Sequence, residues 1–231
     1  MFSAAIPLTL MLVSPLQTPV SDVGRGPQPA PAPVSWELEF RFLDPRPIEV
    51  QLPGADRPEV YWYIVYTVVN RGPRSQWFFP MFQIVTEDLR VYDTDMGISP
   101  LVFDAIRERH KITHKYLEEP TKVIGALLSG EDNARESVAI WRAVDLTVNN
   151  FSIYVSGLSG EIQFLPNPAY DPSRPQSASP TQASDQPGRK DPNTKFFTLR
   201  KTLEVRYNAP GSPQARQAVL PQRSEVRWIM R

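Results

Sequence analysis

Val34 to Asp44 reads VSWELEFRFLD. Trp36, Leu38, Phe40 and Phe42 alternate with Glu37, Glu39 and Arg41, so an extended chain here has one apolar and one charged face, the two-residue period of a half-buried β-strand. Immediately outward, PIEVQL (Pro47 to Leu52) alternates in the same way and stops at the turn residues Pro53-Gly54. Further on, EVYWYIVYTVVN (Glu59 to Asn70) is apolar at both parities: Tyr61, Tyr63 and Val65 on one side, Trp62, Ile64, Tyr66 and Val68 on the other. A strand of that kind is covered on both faces, which predicts a central position in a sheet.

The remainder repeats the pattern. QWFFPMFQIVTED (Gln76 to Asp88) is strand-like but holds Pro80, which cannot donate to a ladder and predicts a bulge or an edge there. Leu89 to Tyr92 is a short further strand, followed by a loop over Asp93 to Gly97. VIGALL (Val123 to Leu128) and SVAIWRAV (Ser137 to Val144) predict one hairpin, and NNFSIYVSGL (Asn149 to Leu158) with EIQFL (Glu161 to Leu165) predict another. FFTLRKTLEVRYNA (Phe196 to Ala209) and EVRWIMR (Glu225 to Arg231) close the chain as strands. The helical signal sits in one place, where Ser99 can cap, Pro100 can take the first helical position, and Leu101, Val102, Ala105 and Ile106 recur at helical spacing as far as His110. About ten strands with one short helix and no βαβ alternation predict an all-β fold, an immunoglobulin-like β-sandwich forming a single domain over 34–231.

Within that domain, Tyr66-Thr67-Val68-Val69-Asn70-Arg71-Gly72 resembles the YTVxNxG strand-and-turn element of secreted immunoglobulin-like modules in bacterial surface proteins. The resemblance covers seven residues and implies the fold; it carries no functional residues with it.

Residues 1–20 contain an apolar stretch, Ala4 to Val13, shorter than the roughly 20 residues needed to span a bilayer as a helix. It is read as a signal peptide, although no Lys or Arg precedes it, and predicts a secreted or periplasmic protein with no membrane span in its mature form. Residues 21–33 form a Pro/Ala-rich linker. From 166 to 193 the composition turns to Pro, Ser, Gln, Asp and Ala, too poor in apolar surface to repay the entropy of ordering, which predicts a disordered loop.

Composition narrows the function classes. Lys plus Arg (25) balances Asp plus Glu (25), so no summed field draws the chain to nucleic acid. The absence of cysteine excludes a disulfide framework, a thiolate nucleophile and cysteine-ligated metal. The 25 prolines are about twice the usual share.

Four features bear on chemistry. His110 and His114 stand four apart, so a continuing helix would put both imidazoles on one face as candidate metal ligands; Lys111 occupies the position where a zinc protease carries its glutamate. Asp93-Thr94-Asp95-Met96-Gly97 is a fragment of a calcium-loop pattern without its distal glutamate. Ser159 in Gly157-Leu158-Ser159-Gly160 lacks the spacing of a nucleophile elbow. Among the aromatic residues, Trp77 beside its turn is the candidate for an exposed ligand-binding ring, the others being read as core. The leading expectation is a non-enzymatic binding or structural module of the cell envelope, without cofactor, that holds another envelope or secreted protein through sheet edges or loops. The alternatives are a metal-binding protein or metal-dependent enzyme centred on His110 and His114, and a carbohydrate-binding module built on exposed aromatics.

Overall fold

The computed structural model describes residues 36–94, 97–142, 149–174, 193–212 and 219–231. The leader and linker over 1–33, and 175–192 of the loop at 166–193, lie outside the described residues. The described chain is mostly β: β1 (Glu39–Phe42), β2 (Arg46–Val50), β3 (Glu59–Val69), β4 (Gln76–Phe78), β5 (Met81–Thr86), β6 (Val91–Asp93), α1 (Pro100–His110), β7 (Gly125–Leu127), β8 (Arg135–Arg142), β9 (Asn150–Ser156), β10 (Ile162–Pro166), β11 (Phe196–Asn208) and β12 (Gln222–Met230). All strand pairs are antiparallel.

In the first sheet β3 is central. β1 and β2 lie end to end along one of its edges, Phe42 opposite Tyr66 and Arg46 opposite Tyr63, and the Leu43 amide between them donates to the Val65 carbonyl. They are one strand bent at Asp44-Pro45, where proline has no amide to offer. β8 takes the other edge, from Tyr61↔Arg142 to Val68↔Arg135.

In the second sheet β11 is central, with β12 on one edge and β9 and β10 in line on the other; β5 follows β9, and β6 follows β5. Between Val155↔Leu203 and Ile162↔Arg200 the outer strand advances seven residues while β11 advances three, so four residues are extruded as a bulge. β4 and β7 form a separate two-stranded ribbon. Pro80 therefore does more than bulge a strand: it separates β4 in the ribbon from β5 in the second sheet.

Neither predicted hairpin forms. β7 pairs with β4 and β8 with β3, so Val123–Leu128 and Ser137–Val144 are not partners. β9 has both edges occupied, by β5 and β11, and β10 must continue along β11 rather than fold back.

The two parities of β3 face different neighbours. Trp62, Ile64, Tyr66 and Val68 join a buried cluster drawn from both sheets, with Phe40, Phe82, Trp141, Ile153, Val205 and Tyr207 among its members. Tyr61, Tyr63 and Val65 lie on the opposite face with Val102, Phe103 and Ile106 of α1 and Val138 and Ile140 of β8. Each such side chain removed from water contributes about 1.5–3 kcal/mol. α1 starts as its sequence dictates, with Pro100 in the first turn and the Ser99 hydroxyl accepting from the Leu101 amide.

Candidate partner-binding groove

Beside the first turn of α1 the two sheets do not close on one another. A cavity of about 300 Å3 opens there. Its floor is Tyr66 and Phe82 from the inter-sheet core; one wall is Ile98, Pro100 and Phe103, and another is Pro120, Thr121 and Ile124. Glu119 is the single charged residue of the lining among the described residues. Burial pushes the Tyr66 hydroxyl above the ordinary phenol range, and Ser137 hydrogen-bonds to it, so the floor presents a neutral ring.

The remaining wall is Val138, Ala139 and Ile140 of β8. Successive residues of a strand point to opposite faces, and Ala139 belongs to the inter-sheet cluster while Val138 and Ile140 belong to the cluster beneath α1. One cavity touching all three meets the strand on its edge. That edge is covered only at its start: Leu117 bridges Glu136 in parallel, the Glu118 amide donates to the Glu136 carbonyl, and the Ser137 hydroxyl donates to the Glu118 carbonyl. From Val138 onward no strand among the described residues pairs with the outer edge of β8. Unpaired backbone donors and acceptors next to an apolar cleft accept an added strand.

The β4–β7 ribbon extends the apolar surface. Trp77 stands opposite Ala126, and Ile124 and Leu128 flank Ala126 two residues to either side, on the same face. Trp77 is 65% exposed and stacks on exposed Phe79, ring centroids 5.7 Å apart and planes 9° apart. Ile124 belongs to both surfaces, since it also lines the cavity.

The other sequence-predicted residues lie elsewhere. His110 and His114 are brought together, ring centroids 5.5 Å apart, because the His114 amide donates to the His110 carbonyl and carries the helical turn past α1. His110 is buried with its Nε2 3.0 Å from the Tyr63 hydroxyl, and His114 uses Nδ1 toward Thr113 Oγ1. No group of three His, Cys, Asp or Glu among the described residues is placed to hold a metal ion. Asp93 accepts from Gln83 across β5 and β6, and Asp95 lies outside the described residues. Ser159 accepts from the Glu161 amide inside the bulge. Sequence reading singled out Trp77 but neither the β8 edge nor the cavity.

Comparison with protein-family models, with curated proteins and with solved structures returned no match.

Proposed function

We propose that this chain is a non-enzymatic binding module of the cell envelope or the secreted space, built as an immunoglobulin-like β-sandwich, that takes up an extended segment of a protein partner along the β8 edge. The observation that carries the reading is the cavity's contact with Val138, Ala139 and Ile140 together, because only an edge offers both faces of a strand at once. An incoming strand would continue the line begun by Leu117 and Glu118. Its main-chain bonds would supply affinity at about 0.5–1.5 kcal/mol each. Its alternate side chains would enter the cleft over Tyr66 and Phe82 or turn toward Phe103, so apolar residues at both parities are expected in the partner.

The carbohydrate reading has Trp77 and Phe79 in its favour. A sugar platform also needs polar groups around its rings, and the nearest residues on the ribbon face are Ile124, Ala126 and Leu128. That surface suits a protein better than a glycan.

The test is a panel of extended apolar peptides, read by backbone hydrogen exchange. Binding should protect amides within Val138 to Arg142, and Thr121→Trp, a change at an exposed lining position, should plug the cleft and abolish binding while Tm stays unchanged. Peptide binding that leaves β8 exchange untouched would remove the support for strand addition.

A further inference from the structure

At the opposite end of α1 from the groove Glu108 pairs with Lys111, and no carboxylate among the described residues pairs with Arg46, Arg109 or His114. Arg46 faces Tyr63 across the β2–β3 register. The Arg109 Nη1 donates to the Pro47 carbonyl at 2.9 Å and to the Tyr63 hydroxyl at 3.3 Å. His110 touches that same hydroxyl, and His114 stands beside His110. Arg46, Arg109 and His114 are all near enough to His110 to disfavour its protonation.

Among the described residues ten arginines are held in ion pairs; Arg46 and Arg109 are not. Arg46 is exposed, and its side chain has no hydrogen-bond or ion-pair partner among the described residues. Arg109 bonds only to uncharged oxygens, and the Nε2 of His114 has no partner among the described residues. The negative end of the α1 dipole accounts for cations at Arg109 and His114. It does not account for Arg46, which comes from β2.

We propose that Arg46, Arg109 and His114 form a binding site for a phosphate group. Two guanidiniums supply forked donors matched to phosphate oxygens, and the imidazole supplies a third donor. The inference is independent of the groove and would survive the failure of that reading.

The full chain is titrated with inorganic phosphate while the His110 and His114 ring resonances are followed by NMR. Saturable displacement of the His114 signals is expected, with Kd raised about tenfold in Arg46→Gln, or ~1.4 kcal/mol. The Arg46 side chain makes no hydrogen bond or ion pair among the described residues, so this variant is expected to keep its fold, and an unchanged Tm verifies that. Co-sedimentation with vesicles containing phosphatidic acid separates the sources: retention abolished by Arg46→Gln assigns the phosphate to a lipid headgroup, and phosphate saturation without retention assigns it to a soluble ligand. Ring signals indifferent to phosphate together with no Arg46-dependent retention overturn the proposal, as does phosphate binding that Arg46→Gln leaves unchanged.

Discussion

Gly157 runs its backbone directly against the carbonyl of Phe79, so that a β-carbon at Gly157 would overlap the Phe79 carbonyl oxygen and carbon. The contact joins the bulge that interrupts the β9–β10 line to the break at Pro80 that separates β4 from β5. Gly157 also has φ +85°, a left-handed conformation that side chains rarely adopt. Gly157→Ala is expected to cost at least about 2 kcal/mol, adding overlap with backbone atoms to the conformational cost. Gly54 is the control: its φ is +80° with nothing within 4 Å of a built β-carbon, so Gly54→Ala should cost only about 1 kcal/mol. Urea midpoints of the two variants measure the difference.

Acid should weaken the seat of α1 before it reaches any carboxylate network. Burial, reinforced by His114, Arg46 and Arg109, pushes the His110 pKa down to about 4 from 6.5. The unfolded chain therefore takes up a proton near pH 6.5 while the folded chain resists until about pH 4, and stability falls as pH drops through that window. A shift of this size corresponds to about 3 kcal/mol. Arg109 can only donate to the Tyr63 hydroxyl, which leaves that hydroxyl's own proton available to Nε2 of a neutral His110 ring 3.0 Å away. Stability curves at a series of pH values should flatten between pH 6.5 and 4 in His110→Gln, and an unaltered slope would contradict the assignment.

What alternation could and could not tell is visible in single residues. Trp62 and Tyr63 were assignable to opposite faces of a covered strand from their neighbours alone, and Ser99-Pro100 placed the start of α1 because capping and the first-turn proline are local effects. Alternation reports faces, not partners, so Leu127 and Phe164 gave no sign that β7 would join β4 or that β10 would follow β9 along β11. The groove depends on which edge of β8 stays unpaired, and the approach of Arg46 to Tyr63 depends on a bend at Asp44-Pro45. Both arise from contacts between residues distant in the chain, which no window of sequence contains.

Glu39 should titrate in a lower window. It is buried at 3% exposure, and burial alone would raise its pKa; the hydrogen bonds from Arg71 and Arg41 outweigh that and hold it at about 2, against 4.5. Both arginines also reach Glu131, which ties β1 and the Asn70–Gly72 turn to the loop before β8. Because the folded pKa is depressed, the stabilisation is complete above pH 4.5 and is lost as pH falls toward 2. Glu39→Gln should cost about 2 kcal/mol at neutral pH and reduce the dependence between pH 4.5 and 2, to which Glu204 and Glu131 also contribute, without touching the one above it. Denaturation curves on His110→Gln and Glu39→Gln in parallel separate the two windows.

Trp141 faces Trp62 across the β3–β8 register, fully buried, and its indole Nε1 has no hydrogen-bond partner among the described residues. An unpaired buried N–H already carries a cost of about 1–3 kcal/mol. Trp141→Phe removes that cost along with part of the ring, so the net loss should stay under about 1.5 kcal/mol, whereas Trp141→Ala should cost about 4 kcal/mol, as emptying such a site does. A Phe variant as unstable as the Ala variant would mean that the indole volume alone sets the outcome.

Neighbouring aromatics on β4 should separate binding from folding. Phe78 is completely buried in the core cluster, while Trp77 and Phe79 on either side of it point to solvent. Phe78→Ala is expected to lose about 3–5 kcal/mol of stability. Trp77→Ala should change stability by no more than about 0.5 kcal/mol, because its ring rests chiefly on Phe79 and water. If the ribbon face extends the groove, Trp77→Ala should nonetheless weaken a peptide that protects β8 by about tenfold, since exposed aromatic anchors carry a disproportionate share of binding energy. Calorimetric titration of that peptide against Trp77→Ala reads the loss directly, and an unchanged Kd would confine the contact to the cavity and the β8 edge.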